Sequence, residues 1–221
     1  METDQESSLV QTVYKYIKAT GDRSILSEKV GGQTVAERME RAMQFLLDAR
    51  YSEKYGLIWG ATTADWGDVQ PEHSWGIDMD KNTHRAIDIY ENAMFIIALD
   101  NLVEMVPDLT SKWNPIRKEL AKNSRKYLWN SKEQKFVPHI YLEGSPFPKD
   151  FDENKIYYFS GTAIAIEAGL LSKKEVKAPL NEMVSRVKES DAASIRLTLY
   201  PPYPAGFFEN KIMTRIQLSK W

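Results

Sequence analysis

The chain of 221 residues contains no cysteine at all, and that single absence removes disulfide scaffolds, thiol nucleophiles and cysteine-based zinc sites. It leaves the compartment open, because an exported chain can also lack cysteine. No apolar run approaches the roughly 18 residues that a membrane-spanning helix needs, so no membrane partner is expected. The opening Met1-Glu2-Thr3-Asp4-Gln5-Glu6 is acidic where a secretory leader would be basic and then apolar; as it stands the sequence reads as cytoplasmic. Charge of one sign is also missing. Lys and Arg total 29 against 31 Asp and Glu, and a net charge of -2 supplies no field to recruit nucleic acid.

Histidine is scarce: His73, His84 and His139 are the only three, and no two have the i,i+4 spacing of a helical zinc site. Asp78-x-Asp80-x-Asn82 begins like a calcium loop but places Thr83 at the sixth position and Ile89 at the twelfth, where Gly and Glu are required. Gly31-Gly32-Gln33-Thr34 lacks a phosphate-binding lysine, and there is no Gly-x-Ser-x-Gly elbow. Neither a metal nor a cofactor is expected.

What is present is globular and helical. Hydrophobic residues make up 43%, aromatic residues 11% and charged residues 27%, with a mean hydropathy of -0.47, which excludes a disordered or collagen-like chain. Leu9, Val10, Val13, Tyr14 and Ile17 form one helical stripe that Thr20-Gly21-Asp22 interrupts. Val35, Met39, Ala42, Met43, Leu46 and Leu47 form a second, with Thr34 and Glu37 at capping-box spacing. Residues 87–106 are apolar enough for a helix buried on most sides, stopped by Pro107. Ile116, Leu120 and Leu128 mark a fourth helix, residues 162–171 a fifth and residues 173–189 a sixth. No low-complexity linker divides the chain, so residues 1–221 are read as one domain. The six helices would pair as three hairpins joined by long aromatic loops at 55–83, 136–159 and 196–208; loops of this length are usually functional.

Chemistry concentrates in the first of those loops. Trp59, Trp66 and Trp75 alternate there with Asp65, Asp68, Asp78 and Asp80. An indole face packs on the C–H face of a sugar ring while a carboxylate accepts from its hydroxyls. A carboxyl beside an indole is also desolvated, so its pKa rises and it can hold the proton that glycosidic cleavage demands. The competing explanation is structural: tryptophans wedging a loop onto the helices and aspartates capping turns. Glu91 and Asn92 interrupt the most apolar helix, where a buried polar group needs a partner, either a ligand or a core hydrogen bond.

The order of these segments resembles the six-hairpin glycosidases of the glucoamylase-like, debranching-enzyme-like and rhamnosidase-like kinds. The resemblance is carried by residues 16–26 with the helix ending Phe45-Leu46-Leu47, by residues 56–60 running into Asp65-Trp66-Gly67-Asp68, by Tyr90-Glu91-Asn92-Ala93-Met94, by residues 158–166 and by residues 197–204. It spans nearly the whole chain. It implies an all-α fold, here a partial (α/α)6 toroid of about three hairpins, and a lineage whose chemistry is inverting glycosidic hydrolysis by an acid and a base. Asp68 best matches the acid and Asp65 is the alternative, while Trp59, Trp66, Trp75, Glu91 and Asn92 would bind substrate. The downstream base has no convincing counterpart, and residues 214–221 depart from the family pattern, so a domain incomplete at its C-terminus is expected. The partner implied is an oligosaccharide or polysaccharide, with self-association through open toroid ends. The alternatives are a non-catalytic carbohydrate-binding or scaffold remnant of this fold, and a sugar epimerase, whose paired histidines are hard to find among three.

Overall fold

The computed structural model describes residues 3–73, 77, 79–192 and 198–208. About half of the chain is helical, in α1 (Gln5–Thr20), α2 (Val35–Arg50), α3 (Ile89–Met105), α4 (Thr110–Tyr127), α5 (Phe159–Glu167) and α6 (Lys177–Glu189). Beside the helices, which the all-α fold implied by the resemblance accounts for, short strands pair into five small sheets in the connections. They arise because the loops are long and rich in aromatic and β-branched residues, and their backbone groups need partners once buried.

The helix limits follow from local chemistry. Gly21 adopts the left-handed conformation that closes α1, its N–H donating to the Ile17 carbonyl. Thr34 caps α2 with the reciprocal box read from the sequence: its side chain accepts from the Glu37 N–H, and the Glu37 carboxylate accepts from the Thr34 N–H at 2.7 Å. We expect Thr34→Ala to cost about 1 kcal/mol in a urea unfolding experiment, and no loss would remove the box from the account of α2. Helix α5 starts three residues earlier than expected, with Gly161 inside its first turn.

The layout places α3 at the centre. It packs against α1 on one side and α5 on the other, with α4 behind it, while α2 packs on α1. This explains why α3 is buried nearly all round, from Ile89 through Leu102 to Met105. Helices α1 and α3 run parallel. At their starts Gln11 donates to the Met94 carbonyl, and at their ends Tyr14 and Lys18 both reach Glu104 while Arg23 donates to the Met105 carbonyl. Helix α5 runs the same way: Gly161 at its start lies against Ile89 and Tyr90, and the Ala168 carbonyl just past its end shares Arg117 with Asp100. Three parallel helices therefore begin at one end of the molecule.

That end is roofed by the connections. A three-stranded antiparallel sheet joins Gly60–Ala61, Arg85–Ile87 and Ile140–Tyr141, pairing Gly60 with Ala86 and Ala86 with Tyr141. A second apolar core, separate from the helical one, holds the loops together: Phe147, Phe151, Tyr158, Tyr203, Phe207 and Phe208 pack on Ala64 and Val69. The Phe147 and Phe207 rings stack with centroids 5.0 Å apart. Among the described residues no helix is long and apolar enough to cross a membrane.

Candidate functional site

A carboxylate stands at the start of each of α1, α3 and α5. Asp4 stands at the N-cap position of α1, its carbonyl accepting from the Ser8 N–H at 2.9 Å while its side chain makes no capping bond. Asp88 caps α3, its side chain accepting from the Glu91 N–H at 2.9 Å. Asp65 caps α5 from almost a hundred residues away: one carboxylate oxygen accepts from the Ser160 N–H at 2.7 Å and the other from the Gly161 N–H at 2.8 Å. Each helix start carries partial positive charge and unpaired N–H groups, so each attracts a carboxylate. Three parallel starts side by side concentrate the acids at one mouth.

A tight turn separates the two candidate aspartates. Asp65 has φ 58°, a left-handed conformation that aspartate tolerates better than most residues, and the turn closes with the Gly67 N–H on the Ala64 carbonyl. Beyond it the chain alternates: Asp65 in, Trp66 out, Gly67 in, Asp68 out, Val69 in. Asp65 is therefore buried and committed to α5, whereas Asp68 and the indole of Trp66, 55% exposed, face outward. Gly161 is required by this capping, because a Cβ there would lie 2.8 Å from the Ile89 side chain and 3.1 Å from the Asp65 carboxylate.

Burial dominates the electrostatics. It pushes the Asp65 pKa up to about 7 against the pull of the two backbone bonds, with the Asp88 charge adding to the rise. Burial likewise takes Asp88 up to about 6, although His139 opposes it. Glu91 is raised well above its usual range by burial and then by Asp88 and Asp4, while Arg50 pulls it back. Burial and the neighbouring Asp68 raise Asp4. The half-buried Tyr90 feels Asp4, Asp65, Asp88 and Asp68 beyond its own burial and moves up to about 12. Tyr90 thus marks the point on which these carboxylates converge.

The remaining expected residues divide. Asn92 is fully buried and clamps the strand before the mouth, accepting from the Ile58 N–H and donating to the Ile58 and Asp88 carbonyls. Glu91 lies against Gly60, where an added Cβ would be 2.1 Å from its Oε1, and its Oε2 is buried with no hydrogen-bond partner. Trp59 belongs to a different face, a groove of about 500 Å³ lined by Arg50, Met79, Asp80, Lys81, Thr83, Arg85 and Glu143. Trp75 and Asp78 lie outside the described residues. Among the described residues no three His, Asp or Glu side chains are grouped to hold a metal ion.

One buried network escaped the sequence reading. Glu153 Oε1 faces Nδ1 of the completely buried His139 at 2.8 Å and accepts from the hydroxyls of Tyr141 at 2.8 Å and Tyr203 at 2.5 Å. Tyr203 is in turn 2.6 Å from the Tyr158 hydroxyl, which donates to the Thr63 carbonyl two residues before Asp65. Burial works against both charges, yet each holds the other: the Glu153 pKa falls and the His139 pKa rises. These residues are spread from 63 to 203, so no local spacing reveals them. Asp88 escaped that reading too, although Asp88-x-x-Glu91 has the capping spacing that Thr34 and Glu37 also use. We expect Tyr158→Phe to destabilise the chain by about 1 kcal/mol through loss of a buried hydrogen bond. A neutral outcome in thermal melts would show that the hydroxyl chain contributes nothing.

No family model and no curated protein matches the sequence. In structure, the chain superposes on the GH78 family rhamnosidase of Bacillus sp. GL1 with a TM-score of 0.56 at 14% identity, covering 80% of this chain. It spans 16% of the length of that chain. The likeness is one of fold, to a glycosidase.

Proposed function

We propose that the chain is a glycoside-hydrolase-like domain acting on an oligosaccharide or polysaccharide, its six helices being three hairpins of an α/α toroid. The observation that carries this reading is the gathering of Asp4, Asp65, Asp68 and Asp88 around Tyr90, with Glu91 next to Asp88 and Asp4, where α1, α3 and α5 begin. The superposition on a rhamnosidase supports it. In this reading Asp68 and Trp66 meet the sugar from the exposed side of the turn, and Asp65 is the positioning residue that fixes the turn to α5. Glu91 serves from behind, a buried carboxyl with one oxygen still to be satisfied. Asn92 belongs to the scaffold.

An inverting hydrolase needs one carboxylic acid to protonate the leaving oxygen and one carboxylate to activate water on the opposite ring face. Asp68 takes the first role. The second role has no convincing holder in this chain, and Asp4, whose pKa is raised by burial and by the Asp68 charge, does not fill it. Slow or absent turnover by this chain is the expectation, since general-base assistance is worth roughly 10²–10⁴-fold.

The test combines reducing-sugar release from a panel of rhamnosides and other glycosides with NMR titration of the same compounds. Saccharides that shift the amides of residues 62–68 and Tyr90, with any turnover falling at least about 100-fold in Asp68→Asn, support the proposal. A panel in which no saccharide perturbs that region sinks it.

A further inference from the structure

A buried chain of hydroxyls links the Glu153 carboxylate to the turn that carries Asp65, Trp66 and Asp68. Glu153 Oε1 lies 2.5 Å from the Tyr203 oxygen, which lies 2.6 Å from the Tyr158 oxygen, which lies 3.1 Å from the Thr63 carbonyl oxygen. Thr63 joins the chain to the turn, its own hydroxyl donating to the Asp65 carbonyl at 2.7 Å. Each of these three contacts needs one proton, and each of the two phenols has one to give. With Tyr203 donating to Glu153 and Tyr158 donating to Thr63, the 2.6 Å contact between the phenol oxygens is left without a proton. Two oxygens that close repel unless a proton lies between them. All three contacts are filled together only when Glu153 brings a proton of its own.

We propose that this chain is a proton-ordered latch on the turn: an ionised Glu153 draws both phenol protons toward itself and frees the Thr63 carbonyl, whereas a protonated Glu153 reverses them and holds it. In the first arrangement His139 Nδ1, Tyr141 and Tyr203 donate to Glu153, and Tyr158 donates to Tyr203. In the second Glu153 donates to Tyr203, Tyr203 to Tyr158 and Tyr158 to Thr63, and no heavy atom has to move. Tyr141 serves both, being 2.8 and 2.9 Å from the two Glu153 oxygens and 3.1 Å from His139 Nδ1. The proton reaches Glu153 from solvent, to which 13% of its side chain is open.

The buried His139 keeps the first arrangement in force at neutral pH. Burial works to raise Glu153, but the His139 charge and the bonds from His139, Tyr203 and Tyr141 bring it below the ordinary carboxylate range. Burial works to neutralise His139, and Glu153, Asp88 and Asp65 keep it charged. Asp88 is near because Ile87 pairs with Ile140, which sets Asp88 and His139 opposite each other at the end of the ladder. Tyr158 adds its ring, edge to face with the imidazole at 5.6 Å, and Glu72 acts on Tyr141 from beyond. The turn therefore meets a ligand of any kind with the Thr63 carbonyl released, and tightens in acid.

The carbonyl carbon of Thr63, labelled with 13C in the whole chain, reports by its NMR shift whether the oxygen accepts a bond. Exchange of the Gly67 amide, which bonds the Ala64 carbonyl, reports how firmly the turn is closed. Tyr158→Phe sets the unbonded reference. At pH 5, where Glu153 is ionised, wild-type Thr63 is expected to match that reference, and to leave it as the pH falls below 4.5. The titrations of Asp65 at about 7 and Asp88 at about 6 lie outside that range. Tyr203→Phe cuts the chain and leaves Tyr158 only Thr63 to bond. It should take the Thr63 carbon to its acid position already at pH 5, remove the pH dependence, and slow Gly67 exchange about fivefold, the factor one buried neutral hydrogen bond supplies. Loss of a merely structural hydroxyl would do the reverse and speed exchange. A wild-type carbon already bonded at pH 5 overturns the latch. So does a Tyr203→Phe chain in which the Thr63 carbon stays unbonded or Gly67 exchanges faster. The wild-type titration decides the matter even where Tyr203→Phe fails to fold.

Discussion

The chain is expected to be most stable in mild acid, near pH 5, and to lose several kcal/mol on going to pH 8. In the unfolded chain Asp65 titrates near 3.8, while in the folded chain it titrates at about 7. Between those values the folded form holds a proton that the unfolded form has shed, so raising the pH through this window favours unfolding. Asp88, raised to about 6, acts with the same sign over a narrower window, and Glu91 and Asp4 are displaced in the same direction. His139, held above its ordinary 6.5, adds stability that is present below that value and lost above it. The acid side is set by Glu153, whose lowered pKa means that its contribution exists above 4.5 and disappears as the pH falls through its folded value. At about 1.4 kcal/mol for each pKa unit, Asp65 alone accounts for a few kcal/mol of the alkaline loss. Urea titrations at pH 5 and pH 8 measure this directly. Asp65→Asn should flatten a large part of the slope while destabilising the chain at pH 5, because its NH2 group would replace the acceptor of one of the two N–H donors, Ser160 or Gly161, and leave that donor unpaired. A midpoint that does not change between pH 5 and 8, or a variant with the wild-type slope, would refute the account.

The same residue shows where sequence reading stopped. The helices were legible because each carries its own signal: the stripe of Val10, Val13 and Ile17, the Thr34–Glu37 box, and the apolar run that Pro107 ends. Helix α5 was misplaced because Gly161 reads as a boundary, and the acceptor that lets the helix begin at Phe159 is Asp65, far away in the chain. The concentration of acids in residues 59–80 was visible, but the division of labour between Asp65 and Asp68 was not. It depends on one left-handed residue and the in–out alternation that follows. Asn92 was read as a substrate-binding residue or a core hydrogen bond, and the partners it has are the Ile58 and Asp88 backbone groups. Trp59 was read as a sugar platform because composition shows an indole and cannot show the two guanidinium groups brought to it from α2 and the strand Arg85–Ile87. The His139–Glu153 network, assembled from three separate loops, carries no spacing that a linear reading can find.

The purified chain is expected to associate head to tail, since two different helix faces each expose apolar side chains. On one, α1 and α2 enclose a groove of about 730 Å³ lined by Leu9, Ala42 and Phe45 among polar residues, with Leu9 45% and Phe45 40% exposed. On the other, α6 buries Met183 against Tyr157 and Phe159 but turns Leu180 and Val184, one helical turn apart, outward at 46% and 47%. In sequence all three of these α6 residues read as one aligned stripe, which is what a helix packed on two sides would need. Apolar side chains clustered at helical spacing on both ends of a layered structure are contact surfaces, and each fully buried leucine or phenylalanine gains about 1.5–3 kcal/mol. The two faces differ, so the contact of one copy with the next is heterologous and adds copies until closure or precipitation. Sedimentation velocity should show species growing with concentration. Leu180→Glu with Val184→Glu should give a monomer, and so should Leu9→Glu with Phe45→Glu. Mixing these two double variants restores one intact pair of faces and should give a dimer that grows no further. Wild-type chain that stays monomeric at high concentration, or double variants that each still self-associate, would refute the two-face arrangement.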